Sequence, residues 1–379
     1  MGGRFMIDDS AIEEIANVLV NHSVALARGD RVLIDALDTP EEVLLSLVRA
    51  VRRKDAYPYL QISHGSILRE LAIGADETGL QMQSELELMR MRRMDACILI
   101  AGSENVYESS DVPEEQARMV NRMLLPAVNW RRDKTKWVYV RWPSPAMAQL
   151  AGMSTEAFGK YYHRICTFDY KTLAPGMKRL AERMDRADAV HVIGPGTDLR
   201  FSIKGIGTMV ESGERNIPSG EVMSCPIRDS AEGTVQYNVP SIYMGTLFDN
   251  IRLVLKGGRI VEASSTNSRR MNQILDSDEG ARYIGEFAVG CNPLISEPIR
   301  DVLFDEKIFG SFHFTPGRAY KGFGNGNESQ VHWDMICIQR PEYGGGKIWF
   351  DGELIRNDGR FVPEDLQLLN PDRISIPCS

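Results

Sequence analysis

No two cysteines in this 379-residue sequence are spaced as CxxC. Cys97, Cys166, Cys225, Cys291, Cys337 and Cys378 are far apart, so they give no zinc-finger signal and read as reduced, mostly buried thiols. No apolar stretch approaches the about 20 residues that a membrane span needs, which excludes a transmembrane helix. Long Lys/Arg runs are also missing. With 44 basic against 52 acidic residues the net charge is -8, which argues against nucleic acid or an anionic membrane surface as partner. The start "MGGRFMIDDSAIEEIANVLV" has no positive segment followed by an apolar core, because Asp8, Asp9, Glu13 and Glu14 interrupt it. Met6 sits where a myristoylation signal needs Ser or Thr. A soluble, cytoplasmic protein is expected, with no low-complexity tract and enough chain for two domains or one large α/β unit.

What is present falls into two rhythms. From Ile12 to about Arg141, short β-rich runs alternate with helical segments. "RVLIDA" predicts a strand, "PEEVLLSLVRAVRRK" a helix with proline at its start, and "YPYLQIS" a second strand, together a βαβ unit. "DACILIAG" and "KWVYVRW" predict further strands around the helical "PEEQARMVNRMLLPA". Met-rich "LQMQSELELMRMRRM" has the apolar spacing of an amphipathic core helix. The fold class is α/β: an N-terminal open, mostly parallel sheet with flanking helices over 1–185, then an α+β domain over 186–379. In the second half, "AVHVIG", "DLRFSIKG", "IRLVLKGGRIVEASS" and "KIWFDGELIRNDGRFV" predict strands. They are joined by hairpin turns at Gly257-Gly258, Asp351-Gly352 and Asp358-Gly359. Helical character is expected for "SRRMNQILDS" and "GARYIGEFAVG". "GPGTDL" and "GFGNGN" are turns, since neither opens the helix that a glycine-rich phosphate loop requires.

Residues able to hold a metal concentrate between Glu221 and Asp334. "NIPSGEVMSCP" carries Glu221, "ARYIGEFAVG" Glu286, "LFDEKIFGSFHFTPGRAY" Glu306, His313 and Tyr320, and "ESQVHWDMICIQ" His332 and Asp334. The last segment predicts a buried strand with His332 and Asp334 on one face, an expensive arrangement unless something compensates it. In "SFHFT" a strand points His313 away from both phenylalanines. Singly, each histidine has the alternative of a hydrogen-bonded core residue, and Glu221 and Glu306 that of capping turns. Together, several buried carboxylates cannot be neighbours without a cation. Four carboxylates match two divalent ions, and N/O donors without cysteine favour Zn, Co, Mn or Mg.

"NIPSGEV", "GARYIGEFAVGCNP", "LFDEKIFGSFHFTPGRAY" and "HWDMICIQRPEYGGG", in this order, resemble the motifs of the thermophilic metallo-aminopeptidase family. The resemblance covers most of the chain and is strongest from about Ala187 onward. It implies a two-domain exopeptidase, usually a homodimer, with two metal ions in the C-terminal domain and peptides with a free N-terminus as substrates. It matches Glu221, Glu286, Glu306, His313, His332 and Asp334 to the family's metal ligands, and Tyr320 to a tyrosine beside the metals. The interval from Glu306 to His313 is longer than in the family type, and Glu306 is matched through "FDE". Broad specificity that accepts leucine-like residues is implied. Two rival readings use the same scaffold: a ring-cleaving dioxygenase with a single iron, and a non-catalytic peptide binder. The intact carboxylate and histidine set favours the peptidase.

Overall fold

Val32, Leu33, Ile34 and Ala36 are buried in the strand Arg31–Leu37 of the computed structural model, which describes residues 7–374. Met6 and Cys378 lie outside the described residues. Burial on both faces is what a central parallel strand requires. Arg31–Leu37 pairs in parallel with Tyr57–Ser63 on one side and Ala96–Ala101 on the other, and Ala96–Ala101 pairs with Lys136–Arg141. The helix Glu41–Arg53 buries Val43, Leu44, Leu47, Ala50 and Val51, the one-sided stripe of a crossover helix. The expected open parallel sheet with helices is therefore present. A fifth strand, Asn216–Ile217, comes from far along the chain and pairs in parallel with Lys136–Arg141.

The chain divides into two compact units. The first runs to Phe168 and adds Gly213–Pro218; the second takes Asp169–Ser212 and the chain from Ser219 on. The rhythm change near Asp185 lies inside the helix Ala174–Arg186, which belongs to the second unit. There Gly176 leaves room for Leu368 and Leu369: a Cβ on it would come within 2.6 Å of Leu369.

The Met-rich helix, Glu77–Met91, buries only Leu80 and Met91. Leu88 and Met91 pack with Leu33, Cys97, Ala127 and Trp130, while Met82, Leu86 and Met89 form an exposed stripe on another face. The expected core helix is thus apolar on two sides, and only one is covered.

The second unit holds an eight-stranded antiparallel sheet and a five-stranded one. The three hairpin turns form as expected. Gly257, Gly258, Asp351, Gly352, Asp358 and Gly359 all have positive φ, as two-residue hairpins demand. "GPGTDL" turns between the strands Ala189–Gly194 and Thr197–Ser202, and no helix follows it. "SRRMNQILDS" supplies the helix Ser268–Leu275.

Two expectations are corrected. "GARYIGEFAVG" is not a helix: a short 3-10 turn at Glu279–Arg282 leads into the strand Ile284–Gly290. That strand is sandwiched between Ser311–Pro316 and Glu221–Ser224, and these distant pairings override local preference. The strand expected over Glu328–Gln339 is reduced to Ile336–Ile338. Before it, His332 makes a single bridge with Gly317. Pro316 has no N–H to donate to a ladder, and Gly317 turns aside at φ 104.

No helix among the described residues is long and apolar enough to cross a membrane. Cys97, Cys166, Cys225, Cys291 and Cys337 are free and buried.

Candidate metal centre

The five-stranded sheet runs Ile336–Ile338, Ser311–Pro316, Ile284–Gly290, Glu221–Ser224, Met209–Glu211, all antiparallel. Alternation along its strands sorts two kinds of chemistry onto two faces. Phe287, Phe312 and Phe314 fall on one face, where Phe201 lies 4.9 Å from both Phe287 and Phe314. Glu286, His313 and Glu221 fall on the other. The register places Ala288 opposite His313 and Gly290 opposite Glu221, so small residues leave space beside the ionisable ones.

The six residues expected to bind metal come together there. His313 Nε2 is 3.1 Å from Glu286 Oε1 and 3.6 Å from Glu221 Oε2. His332 Nε2 is 3.3 Å from Glu286 Oε2 and 3.4 Å from Asp334 Oδ1. Three overlapping groups result: Glu221, Glu286 and His313; Glu286, His332 and Asp334; Glu306, His313 and Asp334. Within each group the donor atoms lie within 4.8 Å of one another. The two oxygens of Glu286 face the two imidazoles, one each.

Local structure aims each donor. Thr315 donates to Asp334 Oδ1 at 2.7 Å. The Nδ1–H of His332 donates to the Arg318 carbonyl at 2.8 Å, so Nε2 faces Glu286 and Asp334. An imidazole nitrogen facing two carboxylate oxygens carries a proton or a metal ion, and a carbonyl behind the ring is the usual way to orient a metal-binding histidine. Glu306 follows the short helix Val302–Asp305, whose buried Asp305 accepts the N–H groups of Ile299 and Arg300. Glu221 Oε2 and His313 Nδ1 are buried without a hydrogen-bond partner among the described residues. Free carboxylate oxygens, oriented imidazoles and no sulfur suit a divalent ion with N/O preference. Tyr320 packs edge-on against His332 at 5.4 Å and stacks on Phe323.

Two residues of the cluster, Lys307 and Glu211, lie outside the expected set. Lys307, fully buried, contacts Glu221 Oε1, lies 2.7 Å from Glu306 Oε1 and 3.6 Å from Glu211 Oε2. In sequence it passes for one half of an ordinary Glu-Lys surface pair. The available signal is its apolar company: Phe304, Ile308 and Phe309 are all buried around it in sequence.

Electrostatics follow from crowding. Burial pushes the Glu221 and Glu306 carboxyls up to about 8, against the pull of the Lys307 ammonium. Burial acts on Glu286 in the same direction, but hydrogen bonds from His313 and His332 overcome it and hold Glu286 at about 2. For His332, burial favours the neutral ring, yet Asp334 and Glu286 prevail and raise it from 6.5 to about 9. In the metal-free protein this histidine therefore stabilises the fold fully below about 6.5, and the contribution is lost as pH rises towards 9. A metal ion must displace that proton. Uptake of metal at pH 7 is expected to release protons into weak buffer, and the stability gained from metal to grow from pH 6.5 to 9. Calorimetry in buffers of different ionisation enthalpy checks this; uptake with no proton release would contradict it.

With the geometry in place, the family can be assigned. The family profile of thermophilic metalloproteases, M29, matches residues 8–361. The chain belongs to this family. It is 32% identical over 204 residues to aminopeptidase T of Thermus aquaticus, a match covering 47% of this chain and 48% of that one. It is 24% identical over 410 residues to aminopeptidase PepS of Streptococcus thermophilus, covering 93% and 96%. The chain thus spans about half the length of the aminopeptidase T sequence it matches and nearly all of PepS. The solved structure of wild-type AmpT from Thermus thermophilus superposes with a TM-score of 0.77 at 22% identity, covering 93% of this chain and 99% of that one. The 2,5-dihydroxypyridine dioxygenase of Pseudomonas putida KT2440 superposes with a TM-score of 0.62 at 13% identity, covering 95% and 99%. Both likenesses show a shared fold.

Proposed function

We propose that this M29 protein is a metal-dependent aminopeptidase that hydrolyses the first peptide bond of substrates with a free N-terminus. The observation that carries the reading is Glu286, whose two oxygens join a Glu221–His313 group to a His332–Asp334 group. Such a shared carboxylate suits two neighbouring divalent ions, Zn, Co, Mn or Mg, with Glu221, Glu286, Glu306, His313, His332 and Asp334 as ligands. Bound ions would supply a Lewis acid and a water acidic enough to ionise near neutral pH. The chain's own residues do the rest. Burial, with Glu286 and the other acids nearby, raises the Tyr320 phenol well above its ordinary value. It stays protonated and can donate a hydrogen bond to a developing oxyanion. Carboxylate oxygens left over from the ligand set would hold the substrate's α-ammonium and restrict cleavage to the first bond.

Acceptance of leucine-like first residues rests on the family alone. A homodimer is supported by apolar surface on the first unit. Tyr57, Tyr59, Leu60 and Ile62 are exposed on the edge strand Tyr57–Ser63, as are Leu71 on the next helix and Met82 on the one after. Five buried free thiols suit a cytoplasmic protein.

The deciding experiment assays metal-reconstituted protein on a leucyl peptide and on its N-acetylated copy, with metal content measured on the same sample. Cleavage of the free-amine peptide alone is expected. Equal cleavage of both, or none by metal-loaded protein, would overturn the reading. Oxygen uptake with iron bound would move it to the dioxygenase class.

A further inference from the structure

Lys307 is enclosed, with its N–H bonded to the Phe304 carbonyl and its own carbonyl accepting from Asn292, each at 3.0 Å. A lysine with no exposed surface keeps its charge only beside acids, and here three of them surround it. Counting Glu211, the cluster holds five carboxylates: Glu211, Glu221, Glu286, Glu306 and Asp334. Two divalent ions would bring four positive charges, and the ammonium brings the fifth. Lys307 is a cation of the centre itself.

Its position is one-sided. Glu221 gives Oε1 to Lys307 and keeps Oε2 for the side facing His313; Glu306 also gives Oε1 to Lys307. Two of the three donor groups therefore contain a carboxylate that the ammonium already holds. The third, Glu286 with His332 and Asp334, contains none. Its acids meet imidazoles and the neutral hydroxyl of Thr315, and its histidine is fixed by the Arg318 carbonyl. A carboxylate shared with an ammonium is a weaker donor to an ion, and in a buried setting the ammonium also repels that ion. Glu211, with Oε2 3.6 Å from Nζ, offsets part of this repulsion, so the affected position is weakened and still usable.

We propose that Lys307 makes the two ion positions unequal: Glu286, His332 and Asp334 form the tight position, and Glu221, Glu286 and His313 the weak, exchangeable one. The proposal rests on the metal-dependent reading above and deepens it. Metal loads in two steps, and the second step follows free metal concentration in a range where the first is already complete. A lysine that merely filled space would set no such order.

The test is equilibrium dialysis of chelator-stripped, full-length protein against graded Zn(II) or Mn(II), with metal analysis. Wild type is expected to bind two ions with dissociation constants at least about tenfold apart. Glu221→Gln is expected to lose the weaker step and keep the tighter. Lys307→Met removes the competitor and should tighten the weaker step by about 10–100-fold, whereas Lys307→Arg should keep the two steps apart. Two equal steps in wild type would overturn the proposal, as would a single ion at saturation or a Lys307→Met protein with a looser second step. Should Lys307→Met fail to fold, Lys307→Gln, which removes the charge and keeps hydrogen-bonding capacity, takes its place with the same expected tightening. A protein that binds no metal at all overturns the metal-dependent reading as well, which separates the two failures.

Discussion

Replacement of Glu286 by alanine is expected to abolish metal retention and peptide hydrolysis together. Its carboxylate reaches both imidazoles directly, at 3.1 Å from His313 and 3.3 Å from His332. Without it the two groups that it joins keep one acid and one histidine each, too few to hold an ion firmly, and in the third, Glu306 with His313 and Asp334, one acid is already held by Lys307. Activity should fall at least about 1,000-fold, equivalent to about 4 kcal/mol of transition-state stabilisation. The fold should survive, because the strand Ile284–Gly290 is held by backbone pairing on both sides and by Phe287 on the opposite face. Circular dichroism, metal analysis and a peptide assay on one preparation check all three points. Glu286→Gln, which keeps the shape and removes the charge, should behave nearly as badly. A Glu286→Ala protein with near-normal activity would remove the shared carboxylate from the mechanism.

The second large effect is expected at a residue that binds no ligand. Trp333 stands between His332 and Asp334 and is 1% exposed. Its ring stacks on Tyr243 at 4.6 Å and meets Phe248 at 4.7 Å, and its Nε1–H donates to Ser241 Oγ at 2.9 Å. The backbone around it is irregular, so this anchored ring sets where the two flanking side chains point. Trp333→Ala should cost about 3–5 kcal/mol by the cavity it leaves. It should also weaken metal binding, since His332 and Asp334 lose their common support. Trp333→Phe keeps most of the ring and loses one hydrogen bond, at about 1 kcal/mol. Denaturant unfolding of the metal-free proteins measures the first effect and dialysis the second. Full metal affinity in a destabilised Trp333→Ala would show that the ligands are aimed by other contacts.

What could be read from the sequence divides along the range of the forces involved. The hairpins at Gly257-Gly258, Asp351-Gly352 and Asp358-Gly359 depend on the φ values of two residues, and those residues announce them. The βαβ unit around Glu41–Arg53 was visible for a similar reason, because helical and strand periods follow one another within a few turns of chain. The strand Ile284–Gly290 looks helical in sequence because its identity is set by partners lying tens of residues away in both directions. The segment before Ile336 departs from its sequence pattern the other way. Its apolar alternation is real, with Val331, Trp333 and Met335 buried, but the ladder it would join is broken at Pro316 and Gly317. The candidate site was legible as a set of residue types, and the resemblance to relatives supplied the matching. Its charge balance was not, because Glu211 and Lys307 enter it through the fold, one from a neighbouring strand and the other from a turn.

The short strand Asn216–Ile217 has a practical consequence. Because Tyr139 donates to the Arg215 carbonyl at 2.7 Å, and Val140 faces Ile217 across the pair, a fragment stopped at Phe168 would lack the cover on that side. Its bare main-chain groups would be free to recruit another chain, so truncation there invites self-association. Expression of the N-terminal portion alone would need those few residues grafted back, since it is not one continuous stretch of polypeptide.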